Sequence, residues 1–322
     1  MGQLVKLQDY ISRYEVNIFT YPSRFVRLKK QQWERTKTNW ENDGLDASNL
    51  SFLSPVMDWE EEKEKPALIK KLTGLFKHNH KHELGDEVGN QEVLEPDPMQ
   101  FTASFSFKPE TVDELKRHFL DQLYRFQLKW ASSTITENSP ISSKYYFEEN
   151  LKFFLQRFPD TFLVLYKPVF LLKKAPIEAE IILLTPTDTW CITFIEEENS
   201  AVFIGSNERF WVKRTDETEK KILNPMLTLN RTEKIVRNIF AMHEIEFPIH
   251  KLLISRNGYI DYPAVPFDVE LAEARNYQQW FESMRSLKSP LKHIQLKAAK
   301  SLLQYCETNS RRRLEWELEE DN

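Results

Sequence analysis

The sequence predicts an α/β fold in which a small buried sheet is layered between helices. The stretch from Ala179 to Trp211 holds three short apolar runs, Ile181–Leu184, Trp190–Ile195 and Ala201–Ile204, each bounded by turn or charged residues. Short runs rich in Ile, Val, Leu and aromatics with such boundaries are the pattern of consecutive buried strands. A helical pattern ends before them at Phe158 and another starts after them near Asn224. Helices on both sides of strands bury one common core.

Length and composition agree. The 322 residues suffice for one large or two ordinary domains, and 41% apolar residues supply a sizeable core. Charged residues at 29% and only 7 Gly suit a helix-rich chain. A formal charge of −5 gives no global attraction to nucleic acid or anionic lipid. No apolar run has the length of a membrane span. The N-terminal stretch lacks the apolar segment of a secretory signal, and Gly2 lacks the Ser or Thr of a myristoylation motif. Cys191 and Cys306 are far apart and make no disulfide framework. The expectation is a cytoplasmic protein without a membrane partner.

Taken in order, residues 1–42 read as helix. Arg24, Arg27, Lys29, Lys30, Arg35 and Lys37 are interleaved with Phe25, Leu28, Trp33 and Trp40. Such a segment can bind phosphates and stack on bases; it also reads as an amphipathic helix whose aromatics pack inward while its cations face water. Residues 43–100 read as a flexible linker, with the charge run from Glu60 to Pro66 and low hydrophobicity. His78, His80 and His82 alternate within it and could take Zn²⁺ or Ni²⁺ as an exposed site, although no Cys lies nearby.

Residues 109–130 read as an amphipathic helix that packs on the core. Thr111 caps it, Glu114 follows three residues later, and Val112, Leu115, Phe119, Leu123, Phe126 and Trp130 form its stripe. A loop follows. Residues 142–158 read as the next helix, with Phe147, Leu151, Phe154, Leu155 and Phe158 on its buried face. Glu148 lies beside that stripe and points toward the sheet or its rim. A carboxylate there is costly unless it is paired or holds a metal. Strands are expected at Phe162–Tyr166 and Val169–Leu172, then in the central stretch. The charged segment KRTDETEKK after Trp211 reads as a loop. Asn224-Pro225 opens a helix through Met242, with Asn capping and Pro in the first turn. His250–Ser255 is a further buried strand, and residues 267–283 and 288–306 read as two C-terminal helices before a charged tail.

Several of these residues, in this order, resemble the nuclease-related domain (NERD), a branch of the restriction-endonuclease-like nucleases whose core motif is written D…ExK. Phe147-Glu148-Glu149-Asn150-Leu151 resembles the family's GExxV, with Phe in place of Gly. Ala179-Glu180-Ile181-Ile182-Leu183-Leu184-Thr185-Pro186 is similar to its IDHVVVTP strand, with Glu180 at the Asp position. Gly205, Ser206 and Trp211 match a Gly-Ser pair followed by Trp, and Asn224-Pro225 a helix-opening Asn-Pro, with Thr228 where Gln is often found. The resemblance covers roughly residues 143–262. It implies a restriction-endonuclease-like mixed sheet flanked by helices, with helical extensions at both ends.

The resemblance also implies a defect. With Thr185-Pro186 aligned, ExK falls on Thr193-Phe194-Ile195. Nucleases of this type hold Mg²⁺ on two or three carboxylates, and the Lys stabilises developing charge. Thr193 and Ile195 do neither job. A relocated site could use Glu148, Glu180 and Glu197, since strand alternation puts Glu197 on the face of Thr193 and Ile195, with Lys173 and Lys174 approaching from the preceding strand. The run Glu196-Glu197-Glu198 also reads as a solvated turn.

Three functions follow from these residues: a catalytically degenerate nuclease-like domain acting in nucleic-acid binding or as an interaction module, an active Mg²⁺-dependent nuclease with the relocated site, or a protein-partner module without nucleic-acid binding. Without catalysis no cofactor is expected. The sequence holds no Gly-rich phosphate loop and no G-x-S-x-G. His118, His243, His250 and His293 read as packed or surface histidines.

Overall fold

The computed structural model describes residues 1–42, 101, 103, 105, 108–172, 175–196, 201–216 and 218–312. The segment 43–100 with its three histidines lies outside them, as do Lys173, Lys174, Glu197 and the tail from 313.

The chain opens not as helix but as a buried strand, β1 (Gln3–Leu7), then a single turn, α1 (Arg13–Val16), and a long helix, α2 (Tyr21–Glu41). Pairing overrides the helical reading of the first residues, because β1 lies parallel to a strand formed more than 150 residues later. Its polar members are satisfied within the fold: Gln3 Nε2 donates to the Asp160 carbonyl at 2.6 Å, and Lys6 pairs with Glu15. On α2, Phe25 is buried, the Trp33 ring packs 5.2 Å from Phe119, and Trp40 Nε1 donates to the Pro109 carbonyl at 2.7 Å. The amphipathic reading of this helix fits.

Helix α3 (Val112–Trp130) begins where Thr111 accepts the Glu114 amide at 3.2 Å. Leu115, Phe119, Leu123, Phe126 and Trp130 are buried, whereas Val112 in the first turn is 40% exposed. After the short strand β2 (Glu137–Asn138) and a 3₁₀ turn at Ser143–Tyr146 comes α4 (Glu149–Arg157). The helix expected over 142–158 is therefore broken. Glu148 has extended ψ and stands at the residue before α4 without a side-chain capping bond, so Phe147 falls outside the helix periodicity and is 74% exposed rather than part of the stripe.

Strand β3 (Leu163–Tyr166) leads into the hairpin β4 (Val169–Leu172) and β5 (Ala175–Glu178), then β6 (Ile181–Leu184) and β7 (Thr189–Phe194). Strands β8 (Val202–Ile204), β9 (Phe210–Arg214) and β10 (Glu219–Leu223) follow. The segment expected as a loop after Trp211 is thus mostly an antiparallel hairpin, whose charged residues face outward and pair across it, Arg214 Nε to Glu219 Oε1 at 2.5 Å. Helix α5 (Met226–Met242) starts where Asn224 Oδ1 accepts the Met226 amide at 2.9 Å.

Strands β11 (Ile249–Ser255), β12 (Tyr259–Asp261) and β13 (Val269–Glu273) precede α6 (Tyr277–Ser286), α7 (His293–Leu303) and the two-residue β14 (Arg311–Arg312). The first half of the helix expected over 267–283 is β13, because the open edge of β11 recruits it as a parallel neighbour and satisfies its backbone groups.

The main sheet has the order β1-β3-β6-β7-β11-β13 and is mixed: β6 runs against its neighbours and every other pairing is parallel. It draws its two edge strands from outside 143–262. The third apolar run of the central stretch, β8, belongs instead to a second sheet, β10-β9-β8-β12. Helices cover both faces of the main sheet. Leu165, Ile182, Cys191 and Leu253 pack toward α5 and α7, while Val164, Leu183, Ile192 and Ile254 pack toward α4 and α6. No described helix is long and apolar enough to cross a membrane.

Candidate functional site

Because β6 is the reversed strand, its start lies at the edge where β3, β7 and β11 end. Ile181 pairs with Ile192, which sets Glu180 opposite Thr193. Glu180 is half-buried, and its amide donates to Thr232 Oγ1 of α5 at 2.9 Å. Thr193 is buried and its hydroxyl has no hydrogen-bond partner. Ile195 is buried in the core that also holds Ile182 and Cys191. The register therefore sets one carboxylate opposite one short hydroxyl, with the apolar side chain of Ile195 packed beside them.

Glu148 lies beside the buried phenol of Tyr166. Its carboxylate hydrogen-bonds the Tyr166 hydroxyl, and Tyr166 is held far above its usual range by burial and then by that carboxylate. Tyr124 and Tyr145 are also pushed up, chiefly by burial with Glu148 adding to it. Tyr124 donates to the Tyr145 carbonyl and Tyr145 to Gln8 Oε1, so the cluster ties α3, α4 and the end of β1 together. A carboxylate accepting a buried phenol has one strong partner without a metal.

Glu196, the first of the three glutamates after β7, is also committed. Arg256 donates to it from Nε at 2.6 Å, from Nη2 at 2.5 Å and from its backbone amide at 3.0 Å. The same Nη2 reaches Asn150 Oδ1 of α4 at 2.8 Å. The guanidinium lies 5.4 Å from the Phe153 ring and 5.2 Å from the Phe194 ring. This ion pair raises Arg256 further above its usual range. Arg256 is thus a clamp joining β7, β11 and α4. No spacing in the sequence marks it, since its partners lie 60 and 106 residues away.

Among the described residues, no group of three or more His, Cys, Asp or Glu side chains is placed to hold a metal. Neither Glu148 nor Glu180 belongs to such a group, and Glu197 lies outside those residues. Of the basic residues on α2, Arg24, Arg27 and Lys30 are exposed, while Lys29 is ion-paired with Asp160. His250 stacks on Trp190 at 4.6 Å and meets Asp188 at 3.2 Å; His293 stacks on Phe19 at 5.5 Å. Both serve as packing groups.

No family model matches the chain, and no solved structure matches it. It is similar to an RNA 2',3'-cyclic phosphodiesterase of Geobacillus stearothermophilus, 38% identical over 127 residues that make up 39% of this chain and 36% of that protein. The chain thus spans about a third of the length of the curated relative it matches.

Proposed function

We propose that the chain is a catalytically degenerate NERD-like domain with a restriction-endonuclease-like core, acting by holding nucleic acid rather than cutting it. The observation that carries this reading is the register of β6 on β7. It brings the Asp-like position, Glu180, opposite the Glu-like position, Thr193, as a shared Mg²⁺ would require. Yet a hydroxyl and a buried Ile195 occupy the places of the missing carboxylate and Lys. Glu196, which could have compensated, is neutralised by Arg256. The name of the relative makes RNA the nucleic acid we favour. The exposed cations Arg24, Arg27 and Lys30 would contact phosphates, with Lys29 beside them.

A second reading is an active Mg²⁺-dependent nuclease with a relocated site built from Glu148, Glu180 and Glu197; the relative's name speaks only for phosphodiester chemistry on RNA. One assay separates the two: Mg²⁺- and Mn²⁺-dependent cleavage of single- and double-stranded RNA and DNA, beside Glu180→Ala. The expected result is salt-sensitive binding without cutting. Metal-dependent cutting abolished by the substitution overturns the degenerate reading, and neither cutting nor binding leaves a protein-partner module.

A further inference from the structure

At the opposite end of the main sheet, where β3 begins, four helices converge on an open cleft of about 520 Å³. Lys29 and Lys30 come from α2, Lys116 from α3, Arg157 from the end of α4 and Arg285 from α6. Against these five cations the lining offers one carboxylate, Asp160. That carboxylate is already paired with Lys29. Lys30, Lys116, Arg157 and Arg285 are exposed, and none meets a carboxylate within ion-pair distance among the described residues.

In a chain of net charge −5, cations from four separate elements line one hollow whose single carboxylate, Asp160, is paired with Lys29. Like charges brought together repel, and concave walls focus their field. The cleft is also aromatic. Half-buried Trp33 lines it with its ring packed on buried Phe119, and buried Phe158 lines it as well.

We propose that this cleft binds a nucleoside phosphate, either a mononucleotide or the phosphorylated end of a strand, with the phosphate on Lys30, Lys116, Arg157 and Arg285 and the base against Trp33. Arg and Lys together suit a phosphate dianion, an indole face suits any base, and the volume suits a single nucleotide rather than a duplex. The inference deepens the nucleic-acid reading above, on which it rests for the class of ligand, but it uses none of the groups at the Glu180 edge.

The test is isothermal titration of the full chain with adenosine, AMP and a short 5′-phosphorylated oligouridine. Each is repeated on the double variant Lys116→Glu/Arg285→Glu and on Arg285→Lys. We expect AMP and the oligonucleotide to bind, adenosine to bind far more weakly, the double variant to lose at least about tenfold in affinity, and Arg285→Lys to keep most of it. The substituted side chains are exposed, so an unchanged melting temperature verifies folding. Adenosine binding as well as AMP, or AMP affinity unmoved in the double variant, overturns the cleft. Oligonucleotide binding that ignores both substitutions, with no AMP binding, sinks the cleft but leaves the nucleic-acid reading. AMP binding without oligonucleotide binding does the reverse, and no binding at all removes both.

Discussion

Replacing Arg256 by Met separates structural from functional carboxylates at the Glu180 edge. Arg256 Nε and Nη2 donate to Glu196 at 2.6 and 2.5 Å, Nη2 donates to Asn150 at 2.8 Å, and the guanidinium lies over two Phe rings. The side chains of Arg256 and Glu196 are 27% and 19% exposed, so the pair is partly screened. Breaking a fully buried pair costs about 3–5 kcal/mol; solvent access here, and the Arg256 amide that still serves Glu196, reduce the expected cost to about 2–3 kcal/mol. Glu196→Gln should cost about 1–2 kcal/mol, and the double substitution should show a coupling of at least about 1 kcal/mol. Glu180→Ala should stay within about 0.5 kcal/mol of wild type, because its carboxylate has no hydrogen bond or ion pair among the described residues. Urea titration read by tryptophan fluorescence measures all four chains, with an unchanged slope as the control. Loss of less than about 0.5 kcal/mol for Arg256→Met, or a Glu180→Ala loss equal to that of Glu196→Gln, would refute the assignment of Glu196 to the scaffold.

Three further outcomes are expected. Thr193→Glu together with Ile195→Lys should introduce a Mn²⁺-dependent rise in melting temperature absent from wild type, since the new carboxylate stands opposite Glu180; no metal response in a folded variant would count against the NERD-like register. Glu15→Ala should cost about 3 kcal/mol in urea, because fully buried Lys6 would keep only Thr308 Oγ1 at 2.9 Å; a loss under about 1 kcal/mol would mean that solvent reaches the ammonium. Asp268 is held below its usual range, first by its hydrogen bond from Lys251 and against a smaller opposing effect of burial. A depressed carboxylate stabilises the fold above its unfolded value near about 3.9 and loses that contribution as pH falls through its folded value. The stability gap between wild type and Asp268→Asn should therefore be constant at neutral pH and close below about pH 4, and a gap that widened in acid would contradict it.

Strong periodicity made α3, α5 and the buried strands legible, because burial on one face repeats within a single element. Among the features that were not legible, two strands depend on distant partners and a local hairpin lies in a charged run. Gln3–Leu7 becomes a strand only because β3 offers an edge, Val269–Glu273 only because β11 does, and the β9–β10 hairpin hides in a charged run that its cross-strand pairs stabilise. Gly205, Ser206, Trp211 and Asn224, four of the residues that carried the resemblance, build one joint. A Cβ at Gly205 would sit 2.7 Å from the Tyr262 ring, whose centroid is 4.9 Å from that of Trp211. Trp211 Nε1 and Asn224 Nδ2 both donate to the Ser206 carbonyl, at 2.8 and 3.2 Å. Thr185 Oγ1 accepts the Asp188 amide at 3.0 Å in the turn between β6 and β7. These are reasons for architecture, so the matching residues speak to a scaffold rather than to chemistry.

The two ends of the sheet now differ in what their charges are free to do. At the Glu180 edge, the Glu148 carboxylate has a phenol and the Glu196 carboxylate a guanidinium, and groups committed in this way stabilise the fold without being available to a ligand. At the other end, Lys30, Lys116, Arg157 and Arg285 face a hollow with no carboxylate to answer them among the described residues. Free charge in a concave site favours whatever neutralises it, and the gain grows with the number of cations a single ligand can reach. A phosphate at that cleft would meet cations from α2, α3, α4 and α6 together, so binding there should also stiffen the packing of those helices against one another. The melting temperature should rise with AMP in wild type and stay flat in Lys116→Glu/Arg285→Glu, a readout that does not require any catalytic activity.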